Sequence, residues 1–122
     1  MSYIDGFVIP VPLGGQEAFI AHARHFDALF IELGAIRVME AWGDDVPEGK
    51  LTDFRRAVQA TAEETVAFSW VEWPDKATRD AAMKTMLEDP RMDPNNPANP
   101  PMPFDGRRMI FGGFQTVVDI RA

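Results

Sequence analysis

The chain has 122 residues, of which 46% are hydrophobic and 25% charged, and its formal net charge is -7 at pH 7. This length and balance are typical of one folded domain and exclude a disordered chain. The negative charge repels phosphate backbones and anionic lipids, which excludes nucleic acid and membranes as expected partners. The chain has no cysteine, no apolar run long enough for a membrane span and no signal-like start, so we expect a cytoplasmic location.

The first third of the chain predicts a strand followed by a helix. Residues 3–11 are rich in Tyr, Phe, Ile and Val, and Pro10 and Pro12 are expected to end the strand. Gly34 then predicts the end of a helix that begins at Gln16, because glycine readily adopts a left-handed cap. The helix is indicated by apolar residues that recur at steps of three and four: Phe19, Ala23, Phe26, Phe30 and Leu33.

Two further strands are predicted in the middle of the chain. Residues 35–42 form the second, which Gly43 and the aspartates after it interrupt. Residues 53–60 fit either a continuation of that strand or a short helix, and periodicity does not decide between them. The third strand, residues 65–73, places apolar groups on both faces, with Val66, Phe68 and Trp70 on one and Ala67, Val71 and Trp73 on the other.

The last third predicts a helix, a long loop and a strand. Asp75 is suited to cap a helix that runs to about Glu88, before Pro90 stops it. Residues 90–103, the proline-rich segment, hold six of the ten prolines and predict an irregular loop. A fourth strand is expected over residues 109–120, with Gly112-Gly113 marking a bulge or a close backbone approach.

This order predicts an α+β fold of the ferredoxin-like βαββαβ type, a four-stranded antiparallel sheet with two helices on one face. The first, third and fourth strands carry large apolar groups on both faces, so the second face needs a cover. An exposed apolar patch of that size is uncommon on monomers, and two-fold pairing is the commonest symmetry. We therefore expect a homodimer formed through the sheet faces, a dimeric α+β barrel.

Blocks across the chain resemble the YbaA-like bacterial proteins of unknown function. The blocks are Tyr3-Ile4-Asp5-Gly6-Phe7-Val8, Glu40-Ala41-Trp42-Gly43-Asp44-Asp45-Val46-Pro47, Thr52-Asp53-Phe54-Arg55-Arg56-Ala57-Val58, Phe68-Ser69-Trp70, Asp89-Pro90-Arg91-Met92 and Met102-Pro103-Phe104-Asp105-Gly106-Arg107-Arg108-Met109. The resemblance implies a dimeric α+β barrel fold without an established activity, and it carries over no catalytic residues.

One segment departs from the pattern expected of that family. The segment of residues 93–101 is longer and richer in proline than expected for that family, so we expect it to cap a pocket differently here. The wider superfamily that this fold resembles includes cofactor-free monooxygenases, haem-degrading oxygenases and muconolactone-type isomerases. Fold analogy alone does not assign one of these chemistries.

His22 is the candidate catalytic residue. It falls within the apolar stripe of the first helix and is expected to point toward the sheet, where an imidazole can act as a general base near neutral pH. The alternative is a structural histidine that a backbone carbonyl satisfies. His22 and His25 with Asp44 or Asp45 form only a weak metal-ligand pattern, so no metal site is predicted.

Five other residues are candidate ligand-binding residues: Trp42, Asp44, Arg55, Trp70 and Arg107. The tryptophans are suited to line a flat apolar pocket, and the arginines to hold a carboxylate or phosphate of a ligand. The structural alternatives are that Asp44 shapes a turn, that Arg55 pairs with a turn aspartate and that the tryptophans belong to the core or an interface.

The predicted function is therefore a small-molecule-binding protein or enzyme with a pocket between the helices and the sheet. By fold analogy it would be a cofactor-free oxygenase or isomerase, and no cofactor is expected. The alternative is a non-catalytic dimeric binding or interaction module, in which the proline-rich segment engages another macromolecule.

Overall fold

A computed structural model describes residues 1–122 as one antiparallel sheet with helices on one face. The sheet order is β2-β3-β1-β4, and every neighbouring pair is antiparallel, which confirms the ferredoxin-like prediction. A short 3₁₀ turn, Pro90–Met92, follows the last helix. The elements in chain order are β1 (Tyr3–Pro12), α1 (Gln16–Glu32), β2 (Arg37–Trp42), α2 (Phe54–Ala57), β3 (Glu64–Trp73), α3 (Lys76–Glu88) and β4 (Ile110–Gln115).

The core lies between the sheet and the two long helices. Ala82 and Met86 of α3 pack against Trp73, while Phe19 of α1 packs against Ile9. Both helices therefore cover the same face of the sheet. The space between these two parts of the core is where the candidate site lies.

A charged group is buried beside Trp73. Asp5 is 4% exposed, and it accepts hydrogen bonds from Trp73 Nε1 at 2.9 Å and from Arg79 Nη2 at 2.9 Å. Paired and hydrogen-bonded in this way, the carboxylate avoids the cost of an isolated buried charge. The contact ties β1, β3 and α3 together.

The helix ends follow the sequence signals. Gly34 has φ +112°, the left-handed region expected of a residue that follows a helix. The carboxylate of Asp75 accepts a hydrogen bond from the Thr78 amide at 2.7 Å and caps α3. The open question over residues 53–60 is answered by α2, whose first free amides are capped by Asp53.

The predicted end of β1 agrees with the structure, and the predicted end of β4 does not. β1 ends at Pro12, and it accommodates Pro10 because β4 pairs with β1 only as far as Val8, so the missing amide costs no hydrogen bond to β4. β4 ends at Gln115, not Ile120, because β1 begins at Tyr3 and offers no partner beyond it.

The glycine pair of β4 marks a close approach and not a bulge. Gly112 and Gly113 keep regular register with Gly6 and Asp5. A Cβ atom at Gly113 would collide with the Tyr3 hydroxyl and the Arg79 guanidinium, so a larger residue there would displace these side chains.

The second face of the sheet, which we call the open face, carries large apolar side chains and neither of the two long helices, and Phe54 of the short helix α2 packs against Phe68 at one place on it. Phe68 is 42% exposed and Phe114 60% exposed. Its apolar members from the four strands are Ile4, Val8, Met39, Phe68, Trp70, Ile110 and Phe114. Apolar groups on both faces are thus present as predicted. No helix of the chain is both long enough and apolar enough to cross a bilayer.

Candidate functional site

A cavity of about 490 Å³ lies between α1, the helix-covered face of the sheet and the proline-rich segment. Its walls are mainly apolar, and the aromatic rings among its lining residues are Phe7, Phe19, Phe26, Phe30 and Phe104. An apolar pocket of this size with a few polar groups is typical of a small-molecule site.

Two carboxyl groups, which we call the acid pair, line this cavity. Asp27 lies on α1, one turn after Ala23, which is buried against the sheet. Glu40 lies on β2 opposite Ser69 of β3, and strand alternation therefore turns it toward the helices. The fold thus brings a helix residue and a strand residue together at one wall of the cavity.

The acid pair holds a proton near neutral pH. Burial first, then the hydrogen bond and the charge of Glu40, raise the pKa of Asp27 to about 8. Because Asp27 is partly buried beside the carboxyl of the exposed Glu40, the two groups do not both ionise easily, and they share one proton. One group is then a donor and the other an acceptor.

His22 lines the same cavity, five residues before Asp27. Its ring lies 4.5 Å from the ring of Phe26 and 5.7 Å from that of Phe104. Burial, and then the charge of His25, lower the pKa of His22, so its imidazole is neutral at physiological pH. A neutral imidazole can both donate and accept a hydrogen bond.

The proline-rich segment covers the cavity and is held down by polar contacts. Asn99 Oδ1 lies 3.2 Å from His25 Nε2, and Arg91 Nη1 donates to Glu32 Oε2 at 2.8 Å. Within the segment, Asn96 and Asn99 donate side-chain hydrogen bonds to the carbonyls of Pro90 and Asp93. Proline has no backbone N–H to donate, and the asparagine side chains supply donors for these carbonyls instead.

The six predicted site residues are not brought together. Only His22 lines the cavity. Trp42 packs against Phe19 with 5.6 Å between ring centroids, beside the cavity and not in its wall. Asp44 lies exposed in the turn after β2.

The other three predicted residues lie elsewhere on the surface. The Arg55 guanidinium donates to the carbonyls of Glu64 and Thr61 and so fastens α2 to the start of β3. Trp70 lies on the open face, across the sheet from His22. The side chain of Arg107 is 91% exposed and pairs with Asp105 at 3.1 Å. Neither arginine is placed to grip a ligand in the cavity.

Sequence reasoning missed the acid pair, although each member left a signal. Asp27 sits beside Phe26 within the apolar face of the first predicted helix, four residues after Ala23. Glu40 lies between Val38 and Trp42 on the same face of the second predicted strand, the face that these two apolar residues turn inward. A charged residue on an apolar face is the pattern to examine.

The lining of the cavity contains no lysine or arginine. The chain also has no group of three or more histidine or acidic side chains arranged to hold a metal ion. The polar groups that the cavity offers are therefore carboxyls, a hydroxyl, asparagine amides and one imidazole.

Comparison with known proteins assigns the family. The family model "Protein of unknown function (DUF1428)" matches residues 2–106. The chain belongs to this family. Uncharacterized protein YbaA of Escherichia coli (strain K12) is 50% identical over 119 residues, covering 98% of this chain and 99% of that protein, and YbaA of Shigella flexneri matches equally well.

Among solved structures, the chain is similar to a dimeric ferredoxin-like protein from an uncultured marine organism. The TM-score is 0.56 at 10% identity, over 99% of this chain and 98% of that one. This likeness supports the fold of this DUF1428 protein. The relatives carry no assigned activity in their names, so function is argued from the cavity.

Proposed function

We propose that this DUF1428 protein binds a small, largely apolar molecule in the cavity and moves a proton on it, as a cofactor-free isomerase-type enzyme. The observation that carries the proposal is the acid pair, two neighbouring carboxyls in the wall of a mainly apolar cavity. Perturbed titratable groups in a cleft are concentrated at functional sites.

The proposed chemistry needs only a proton donor and a proton acceptor. The ionised carboxyl removes a proton from one carbon of the bound molecule, and the protonated carboxyl returns one to another carbon. The composition of the molecule is unchanged, so no oxidant or reductant enters. A proton donor and a proton acceptor are sufficient for the isomerase analogy, whereas the oxygenase analogy also needs O₂ as a co-substrate.

His22 has a supporting place in this proposal. Its neutral imidazole lines the cavity, so it can orient a polar group of the ligand or pass a proton onward. The raised pKa of Asp27 lies close to the pH at which an enzyme works, and this favours Asp27 over His22 as the principal acid and base.

We also propose that the protein works as a homodimer joined through the open faces. Apart from Phe54 of α2, which packs against Phe68, no helix of the chain covers the apolar side chains there. A second copy supplies an equally apolar surface, and the solved structural neighbour is described as dimeric. A cytoplasmic location, which the cysteine-free composition favours, stays a prediction.

A thermal-shift screen tests binding in the cavity, because a ligand that binds only the folded state raises the melting temperature. The panel contains quinones, flavins, haem and small apolar acids, alcohols and amines. Each hit is repeated on Ala23→Leu, which narrows the cavity, and on Ala28→Leu, which adds the same atoms to the exposed side of α1. We expect hits that survive Ala28→Leu and disappear in Ala23→Leu.

Turnover separates an enzyme from a non-catalytic binding module. A confirmed ligand is incubated with the protein in D₂O, and deuterium entering its carbon positions is followed by NMR. We expect exchange with the wild type and at least a hundredfold loss with Asp27→Asn, as is typical when a general acid or base is removed. Binding without exchange in the wild type would favour the binding module.

A further inference from the structure

We propose that the natural occupant of the cavity is a protonated amine on a small apolar body. Its nitrogen lies between the acid pair and the hydroxyl of Ser69. This inference names the ligand class and rests on the proposed function of the cavity.

The first support is Ser69. It lies on β3 between Phe7 of β1 and Glu40 of β2, and it is only 2% exposed. Its hydroxyl has no hydrogen-bond partner within the chain. Every fully enclosed side-chain N or O atom of the structure does have such a partner, so the Ser69 oxygen is not fully enclosed and opens into the cavity that the residue lines. A buried polar group is normally hydrogen-bonded, so the free hydroxyl calls for a partner on the ligand.

The second support is a negative charge without a cation. With one shared proton, the acid pair carries about one negative charge near neutral pH. No lysine or arginine lines the cavity, and the nearby arginines are engaged elsewhere, Arg79 with Asp5 and Arg91 with Asp89 and Glu32. A negative charge at the wall of a mainly apolar cavity, with no cation of the chain beside it, favours a cationic ligand over a neutral or anionic one.

The remaining walls define the rest of the ligand. Phenylalanine rings line the same cavity as the acid pair, and aromatic faces attract both apolar groups and cations. An anionic ligand would meet the acid pair without a compensating cation. The net charge of -7 also draws cations toward the chain.

Three probes of similar shape and different charge test whether the cavity prefers a cation. 2-Phenylethylamine, 2-phenylethanol and phenylacetate are titrated at millimolar concentration by calorimetry near neutral pH. We expect the amine to bind at least about tenfold more tightly than the alcohol, an increment typical of one charge-assisted contact, and phenylacetate not to bind. Heats in phosphate and Tris buffers should be the same, because the amine neutralises the single charge of the acid pair and the pair keeps the proton that the proposed function needs.

Variants assign the contacts. Asp27→Asn combined with Glu40→Gln should weaken amine binding about tenfold or more, because it removes the charge of the acid pair, and Ser69→Ala should weaken it less. Asp44→Asn, the same change at an exposed turn, should have no effect.

The outcomes separate the two proposals. If the alcohol or phenylacetate binds as tightly as the amine, and Ala23→Leu blocks it, the cation inference is wrong while binding in the cavity stands. If none of the three probes binds, the cation inference also fails. If, in addition, the broader screen yields no hit that Ala23→Leu removes, the proposed function fails with it.

Discussion

Asp27 and Glu40 are the two side chains on which the proposed chemistry depends. Their environment favours one proton over two charges, whereas an unfolded chain would leave Asp27 near its ordinary pKa. Native protein therefore binds more protons than unfolded protein between about pH 4 and pH 8. In that window the acid pair makes stability fall as pH rises.

The pH dependence of stability tests the shared proton. His22 acts in the opposite direction below about pH 6.5, because its lowered pKa makes the native state bind fewer protons there. We therefore compare unfolding free energies by urea denaturation from about pH 7 to pH 8. The wild type should lose stability across this range, by less than the limit of about 1.4 kcal/mol per pH unit for one proton, because Glu40 is open to water.

The control for this measurement is a matched pair of substitutions. Asp27→Asn should flatten the slope, because an amide cannot ionise, whereas Asp44→Asn on its exposed turn should keep it. An unchanged slope in Asp27→Asn would mean that the acid pair does not hold the proton.

The proline-rich segment acts as a cover because of its asparagines more than its prolines. The prolines restrict the backbone, but the amide of Asn99 fixes the segment internally through the Asp93 carbonyl, and its oxygen reaches His25 on α1. Removing these bonds should free the cover while leaving the sheet and helices intact, because few core residues belong to the segment.

Asn99→Ala tests how the cover is held. We expect amide hydrogen exchange over residues 93–104 to accelerate about tenfold or more, which corresponds to the loss of one or two hydrogen bonds, while the core strands keep their protection. Asn95→Ala is the control, since the Asn95 side chain lines the same cavity but makes no hydrogen bond within the chain. Equal exchange in the two variants would contradict this role for Asn99.

The assembly depends on the open face of the sheet. Burial of large apolar groups drives association, so a charge placed in the centre of this face should prevent it. Phe68 is suited to this change because its ring lies among the other open-face aromatics, 6.0 Å from Trp70.

Phe68→Glu tests the homodimer. Light scattering on a sizing column should give twice the 13.7 kDa of the chain for the wild type and a single chain for the variant. Leu87→Glu, on the exposed side of α3, is the control and should leave the dimer intact. A wild type that elutes as a 13.7 kDa particle would refute pairing through the open face.

The sequence alone determined the order of the elements, the fold class and the family. Local signals were sufficient to place the helices, because the residues that end or begin a helix act on the adjoining backbone. Gly34 ends α1, Asp75 caps the start of α3, and the spacing of apolar residues marks the buried face of α1. The end of β4 depended on which strands pair, so local signals misplaced it.

Only the tertiary structure decided the composition of the site. Asp27 and Glu40 are 13 positions apart, and their meeting depends on how α1 rotates over the sheet and on the register of β2. The same geometry places Trp70 on the face opposite His22 and occupies Arg55 with backbone carbonyls. Proximity between separate elements arises from packing, which a pattern of neighbouring residues does not encode.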